Sequence, residues 1–92
     1  MGEAPADQEE RDGIQVVIDT LDFLARSLAG NPDAVSVEVV PGEGTTVFRL
    51  HVDADDLGRI IGRGGRTARA IRQVAKAAAA RAGEHVFIEI AG

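Results

Sequence analysis

Between positions 60 and 71 the chain reads Ile-Ile-Gly-Arg-Gly-Gly-Arg-Thr-Ala-Arg-Ala-Ile. Glycines at 62, 64 and 65 interleave with Arg63 and Arg66. Two readings of this segment stand side by side. The steric one is that a tight turn needs positive φ, which glycine reaches without strain, and two glycines would suffice for that. The chemical one is that glycine lets another backbone approach closely, while the free N–H groups of a helix's first turn receive an anion. Arg63 and Arg66 would add charge-assisted contacts to such an anion, a phosphate above all.

Other phosphate motifs fit this segment poorly. A Walker loop requires Gly-x-x-x-x-Gly-Lys-Ser/Thr, but Ile60 stands where its first glycine should be and Arg66 where its lysine should be. A dinucleotide fingerprint requires a third glycine where Thr67 stands. Both also require a preceding strand, and the pattern before Gly62 is helical. Catalysis is not expected. His51 and His85 fall in or beside strands, and no Ser or Cys nucleophile has a base at a suggestive spacing. Asp53, Asp55 and Asp56 read as a helix start, capped by Asp53, rather than as a metal cluster. No cofactor or metal is expected.

The net charge of −5 by itself argues against a polyanionic partner. Its distribution reverses that: residues 58–82 hold seven basic side chains and no acidic one. Such a window inside an acidic chain is a local electrostatic site or a solvated helix face. At about 100° per residue, Arg66, Arg69, Arg72 and Lys76 gather on one exposed stripe leading away from the turn, a path that a sugar-phosphate backbone can follow. Phe23, Phe48 and Phe87 are the only aromatics, too few for a base-stacking platform. There is no cysteine and no apolar run near the ~20 residues that cross a bilayer, and the first residues lack the pattern of a secretion signal. The expected location is the cytoplasm, with no membrane contact.

The elements that must position the turn follow from periodicity. Residues 1–12 are expected to be a disordered acidic tail and 13–92 one domain. Ile14, Val17, Ile18, Leu21, Leu24 and Leu28 recur at helical spacing, with Asp12 or Gly13 as cap and Gly30-Asn31-Pro32 as stop. Val35–Val40 and Thr45–Val52 alternate as two strands of an antiparallel hairpin, with Phe48 and Leu50 inward. A short helix carries Leu57, Ile60 and Ile61. A long one runs from about Gly65 to Ala82 with Ile71, Val74, Ala75, Ala78 and Ala82 buried. Val86, Ile88 and Ile90 alternate in a last strand. The order α-β-β-α-α-β predicts an α+β domain, helices packed on one face of a sheet.

Residues 60–71 resemble the KH domain family: an Ile-Ile-Gly-x-x-Gly core with an apolar residue six positions after the second glycine. Two strands before the helices resemble its type II form, a three-stranded mixed sheet with three helices on one face. The small bacterial proteins made of one such domain are more similar still. The matching features are Asn31-Pro32-Asp33, Val35-Ser36-Val37, Asp56-Leu57-Gly58, Arg66-Thr67 and the alanine-rich helix. The resemblance implies non-catalytic binding of single-stranded RNA, as an RNA chaperone or post-transcriptional regulator. By position, Gly62, Arg63, Gly64 and Gly65 would clamp the backbone, with Arg66 and Arg69 beside them. Ile60, Ile61, Thr67 and Ala68 would shape the groove, and Val47 and Arg49 would approach the bases. It also implies a homodimer, or a heterodimer with a second, larger KH-containing RNA-binding protein. A protein-interaction adaptor using the acidic surface is the alternative.

Overall fold

The structure, a computed structural model, describes residues 6–92, with side chains from residue 13 onward. Helix α1 (Ala6–Leu28) leads through a 3₁₀ turn at Pro32–Ala34 into strands β1 (Ser36–Pro41) and β2 (Thr46–His51). A second 3₁₀ turn, Ala54–Asp56, enters helix α2 (Leu57–Ile61), and the glycine turn joins it to α3 (Arg66–Arg81) and then β3 (Val86–Ala91). The sheet order is β1-β2-β3, with β1 antiparallel and β3 parallel to the central β2. This is the α+β arrangement that periodicity predicts, with a mixed three-stranded sheet.

The alternation in β2 sends Phe48 and Leu50 to full burial. They meet Val17, Leu21 and Ala25 from α1, Ile60 from α2, Ile71, Ala75 and Ala79 from α3, and Ile88 from β3. All three helices therefore share one core. Each fully buried large apolar side chain contributes about 1.5–3 kcal/mol.

The other sheet face stays open, and its register places Glu38, Arg49 and Glu89 side by side across the strands. Arg49 Nε lies 2.7 Å from Glu89 and its Nη1 3.4 Å from Glu38, while His51 Nε2 lies 3.0 Å from Glu38. The His51 hydrogen bond, with the Arg49 charge behind it, holds the Glu38 carboxyl below its ordinary value.

Three expectations change. First, α1 begins at Ala6, so the helix reaches back into the segment expected to be a disordered tail; residues 1–5 lie outside the described residues. Ala-Asp-Gln-Glu-Glu-Arg needs no apolar period to be helical, because these residues suit a helix and its acids suit the N-terminal dipole. Second, Gly13 is not a cap. It is buried within α1, where an added Cβ would stand 2.7 Å from the Cβ of Ala82, so glycine there lets α1 approach the end of α3. Third, the buried stripe of α3 is Ala68, Ile71, Ala75 and Ala79, whereas Val74 is 49% exposed and Ala82 is exposed. The stripe is rotated by roughly 50° from the expected one at 100° per residue. With alanine at so many positions, apolar character alone does not select a phase.

Asp53 caps the second 3₁₀ turn as expected: its Oδ1 accepts from the Asp55 N–H at 2.9 Å, and its Oδ2 accepts from Asn31 Nδ2 at 3.0 Å. The Asn31 bond, then the Asp55 bond, lowers the Asp53 carboxyl from its ordinary value. A depressed folded pKa stabilises above the unfolded value and is lost as pH falls through the folded one. Thermal unfolding will therefore show wild type ahead of Asp53→Asn at neutral pH, with the gap closing below about pH 4. Gly13→Val will lower stability by about 1–3 kcal/mol through overpacking against Ala82, read by urea unfolding. A stability gain would mean that α1 and α3 are not in close contact there.

Candidate nucleic-acid interface

α2 is a single turn of helix. Its Ile60 is fully buried, while Ile61 is 37% exposed beside the turn. The Gly62 N–H donates to Gly58 O at 2.8 Å and the Gly65 N–H to Gly62 O at 3.1 Å, closing the turn on itself. Gly62 (φ 77, ψ 170), Gly64 (φ 65) and Gly65 (φ 76) all have positive φ. The expectation that two glycines would meet the steric need is corrected: the backbone uses all three. At Gly62 there is a second constraint. A Cβ would strike Thr67 Oγ1 and lie 2.8 Å from Thr67 Cβ, so Thr67 packs directly on the glycine. Around Gly64 and Gly65 nothing lies within 4 Å of such a Cβ.

The chemical content of the turn lies in its donors. Among the described residues, the Arg63 and Gly64 N–H groups have no acceptor in the chain. Arg63, Arg66 and Arg69 are exposed and have no carboxylate within salt-bridge distance among the described residues. Lys76 continues the exposed line two turns on. The turn therefore presents free backbone donors between unneutralised guanidiniums.

Not every basic residue of the window joins them. Arg72 is half-buried and its Nε donates to Ile88 O at 3.3 Å, which caps a carbonyl of the edge strand β3. Its place about 55° from the centre of the buried stripe explains this, since Arg69 and Lys76 stand about 95–115° away at 100° per residue. Arg59 folds back to Leu28 O at 3.4 Å. Arg49 is paired with Glu89 and Glu38, on the open sheet face with Val47, and the three helices pack against the opposite face. That pairing weakens the idea that Arg49 approaches a base.

Phe23 and Phe87 are 69% and 52% exposed, on α1 and on the open sheet face. Neither belongs to the glycine turn. Sequence reasoning missed Asp56. It is the one buried charged side chain among the described residues, accepting from the Gly30 and Asn31 N–H groups at 3.0 Å each. Among the described residues there is no cluster of metal-ligating side chains, and no helix is long and apolar enough to cross a membrane.

Residues 18–90 match the model of the family described as KhpA/KhpB, KH domain. Curated relatives named RNA-binding protein KhpA are similar over most of their length. The one from Borreliella burgdorferi is 42% identical over 73 residues, 79% of this chain and 89% of the relative. That from Clostridium acetobutylicum is 44% identical over 70 residues, 76% of this chain and 93% of the relative. That from Mycobacterium tuberculosis is 46% identical over 57 residues, 62% of this chain and 71% of the relative. A crystal structure of Era in complex with MgGDPNP and nucleotides 1506–1542 of 16S ribosomal RNA is similar in fold. Its TM-score is 0.55 at 22% identity, covering 82% of this chain and 29% of that one.

The unequal surroundings of the glycines give a differential outcome. Gly64→Ala will cost about 1–2 kcal/mol, the ordinary cost of a left-handed residue with a Cβ. Gly62→Ala will cost more, because the methyl also meets Thr67. Chemical denaturation of the two variants checks the order; equal losses would mean that Thr67 does not pack on Gly62.

Proposed function

The chain belongs to the KhpA/KhpB KH domain family, and from that membership we propose that it binds single-stranded RNA without catalysing a reaction. Gly62, Arg63, Gly64 and Gly65 clamp the sugar-phosphate backbone in the G-x-x-G manner of that family, a contact of about four nucleotides. The observation that carries the reading is the pair of unbonded N–H groups at Arg63 and Gly64 beside the free guanidiniums of Arg63, Arg66 and Arg69. Backbone donors and cations converging on one exposed turn suit a phosphate better than any neutral ligand. Ile61 and Thr67 line the groove beside the turn, while Ile60 and Ala68, expected to line it too, are buried beneath and support it from the core. The net acidity elsewhere limits the RNA to this face.

The role is that of a cytoplasmic RNA chaperone or post-transcriptional regulator. A contact of four nucleotides is weak by itself, and a second clamp raises it by effective concentration. Self-association, or pairing with a larger RNA-binding protein that carries its own KH domain, supplies that clamp. Exposed Val16 and Phe23 on α1 and Val74 on α3 favour such an arrangement.

Changing Arg63 and Gly64 both to Asp tests the clamp. Gly64 is left-handed with open space around it, a conformation that Asp tolerates, so the fold is kept. Titration with labelled single-stranded RNA is expected to show affinity lost at least about tenfold, with a shallower salt dependence because phosphate contacts are gone. Unchanged affinity refutes the clamp. An adaptor acting through its acidic surface would instead bind its protein partner equally well with both changes in place.

A further inference from the structure

Asp56 lies outside the phosphate-facing turn, yet at 6% exposure it is the one buried charged side chain among the described residues. Its two oxygens accept from the N–H groups of Gly30 and Asn31, in the loop after α1. Around it, Asn31 Nδ2 donates to Asp53 and Arg59 donates to Leu28 O. Gly30 is fitted to this approach. It does not have positive φ, so it is not the left-handed cap that its place after α1 suggests. An added Cβ would instead lie 3.2 Å from Asp56 Oδ1 and 3.3 Å from Arg59 Nη1.

This latch sits at the entrance to the site. Asp56 directly precedes α2, and five residues of helix do not hold an orientation by their own hydrogen bonds. Ile60 fixes the inner side of α2 in the core, and Asp56 fixes its entrance to α1. Six residues after Asp56 comes Gly62, the first residue of the turn. We propose that Asp56 is a positioning residue for RNA binding: by tying the loop after α1 to the start of α2, it sets the placement of the Gly62–Gly65 turn. The inference rests on the RNA-binding reading above. It adds that the turn depends on a carboxylate that touches no RNA.

Asp56→Asn keeps the size of the side chain and replaces one acceptor with a donor facing a backbone N–H. The comparison variant is Asp53→Ala, which removes the Asn31 side-chain contact and the cap but leaves the Gly30 and Asn31 N–H bonds intact. Each protein is titrated with labelled single-stranded RNA well below its unfolding temperature. Amide resonances of Gly62–Gly65 are recorded in the free proteins. The expected result for Asp56→Asn is shifted resonances at Gly62–Gly65 and an affinity lower by roughly two- to thirtyfold, the range of coupling through contact networks. Asp53→Ala is expected to keep both close to wild type.

A folded Asp56→Asn with wild-type affinity and unshifted turn resonances overturns the proposal, and so does Asp53→Ala matching its effects. If Asp56→Asn does not fold, Gly30→Ala takes its place. That change crowds the carboxylate by one methyl and keeps every charge, so unshifted turn resonances in it overturn the proposal equally. Should wild type itself fail to bind RNA, the RNA-binding reading falls, while the resonances of the free proteins still decide whether Asp56 positions the turn.

Discussion

The candidate interface hangs on a helix too short to be stable alone. Nucleating one helical turn costs more than its few hydrogen bonds return, so a five-residue helix exists only where tertiary contacts hold it. α2 is held by Ile60 in the core, by Asp56 against the loop after α1, and by the turn that leads into α3. The three left-handed glycines of that turn are the residues with the most conformational freedom to lose. Their ordering is offset by the long helix on one side and the buried anchor on the other. The apolar interior and the exposed site are thus parts of one construction: each core residue that seats α2 also aims the turn.

Charge is divided between structure and site in the same way. The chain carries ten basic residues against fifteen acidic ones. Among the described residues, four basic side chains meet internal needs: Arg26 on Asp22 and the Val35 carbonyl, Arg49 between two carboxylates on the open sheet face, Arg59 on a helix-end carbonyl, and Arg72 on the outer edge of β3. An unpaired sheet edge invites association with another chain, and a guanidinium on its carbonyl blunts that tendency. The glycine turn and α3 keep a short cationic line exposed on an otherwise acidic body. The surface is thereby divided into one cationic line and an acidic remainder.

Much of this is legible in the sequence because the signals are local. Strict alternation in β2 foretells Phe48 and Leu50 inside, and the glycine spacing locates the turn between two helices. The rest depends on contacts between distant residues or on signals that cancel. Alanine at 68, 75, 78, 79 and 82 leaves the phase of α3 undetermined, which is why periodicity places Val74 inside and Arg72 on the open stripe. Asp55 and Asp56 are chemically alike. Only their partners separate them, and those of Asp56 lie 25 and 26 positions earlier. Gly13 and Gly30 read as punctuation because glycine often ends helices, whereas both serve to let another element come near.

The parallel pairing of β2 with β3 has a consequence for how the molecule assembles. β1 and β2 are joined by a short turn, so their pairing closes a small loop and can form early. Thr46 meets Val86 forty positions later, with α2, the glycine turn and α3 all inside the loop that this closes. Loop-closure entropy and non-local topology make such a pairing a late step in folding. On this order of events β3 acts as a clasp, and the glycine turn takes its final shape only when the clasp shuts. A nascent chain that has not yet emerged beyond Ala82 would hold every residue of the glycine turn and still lack the element that fixes its placement.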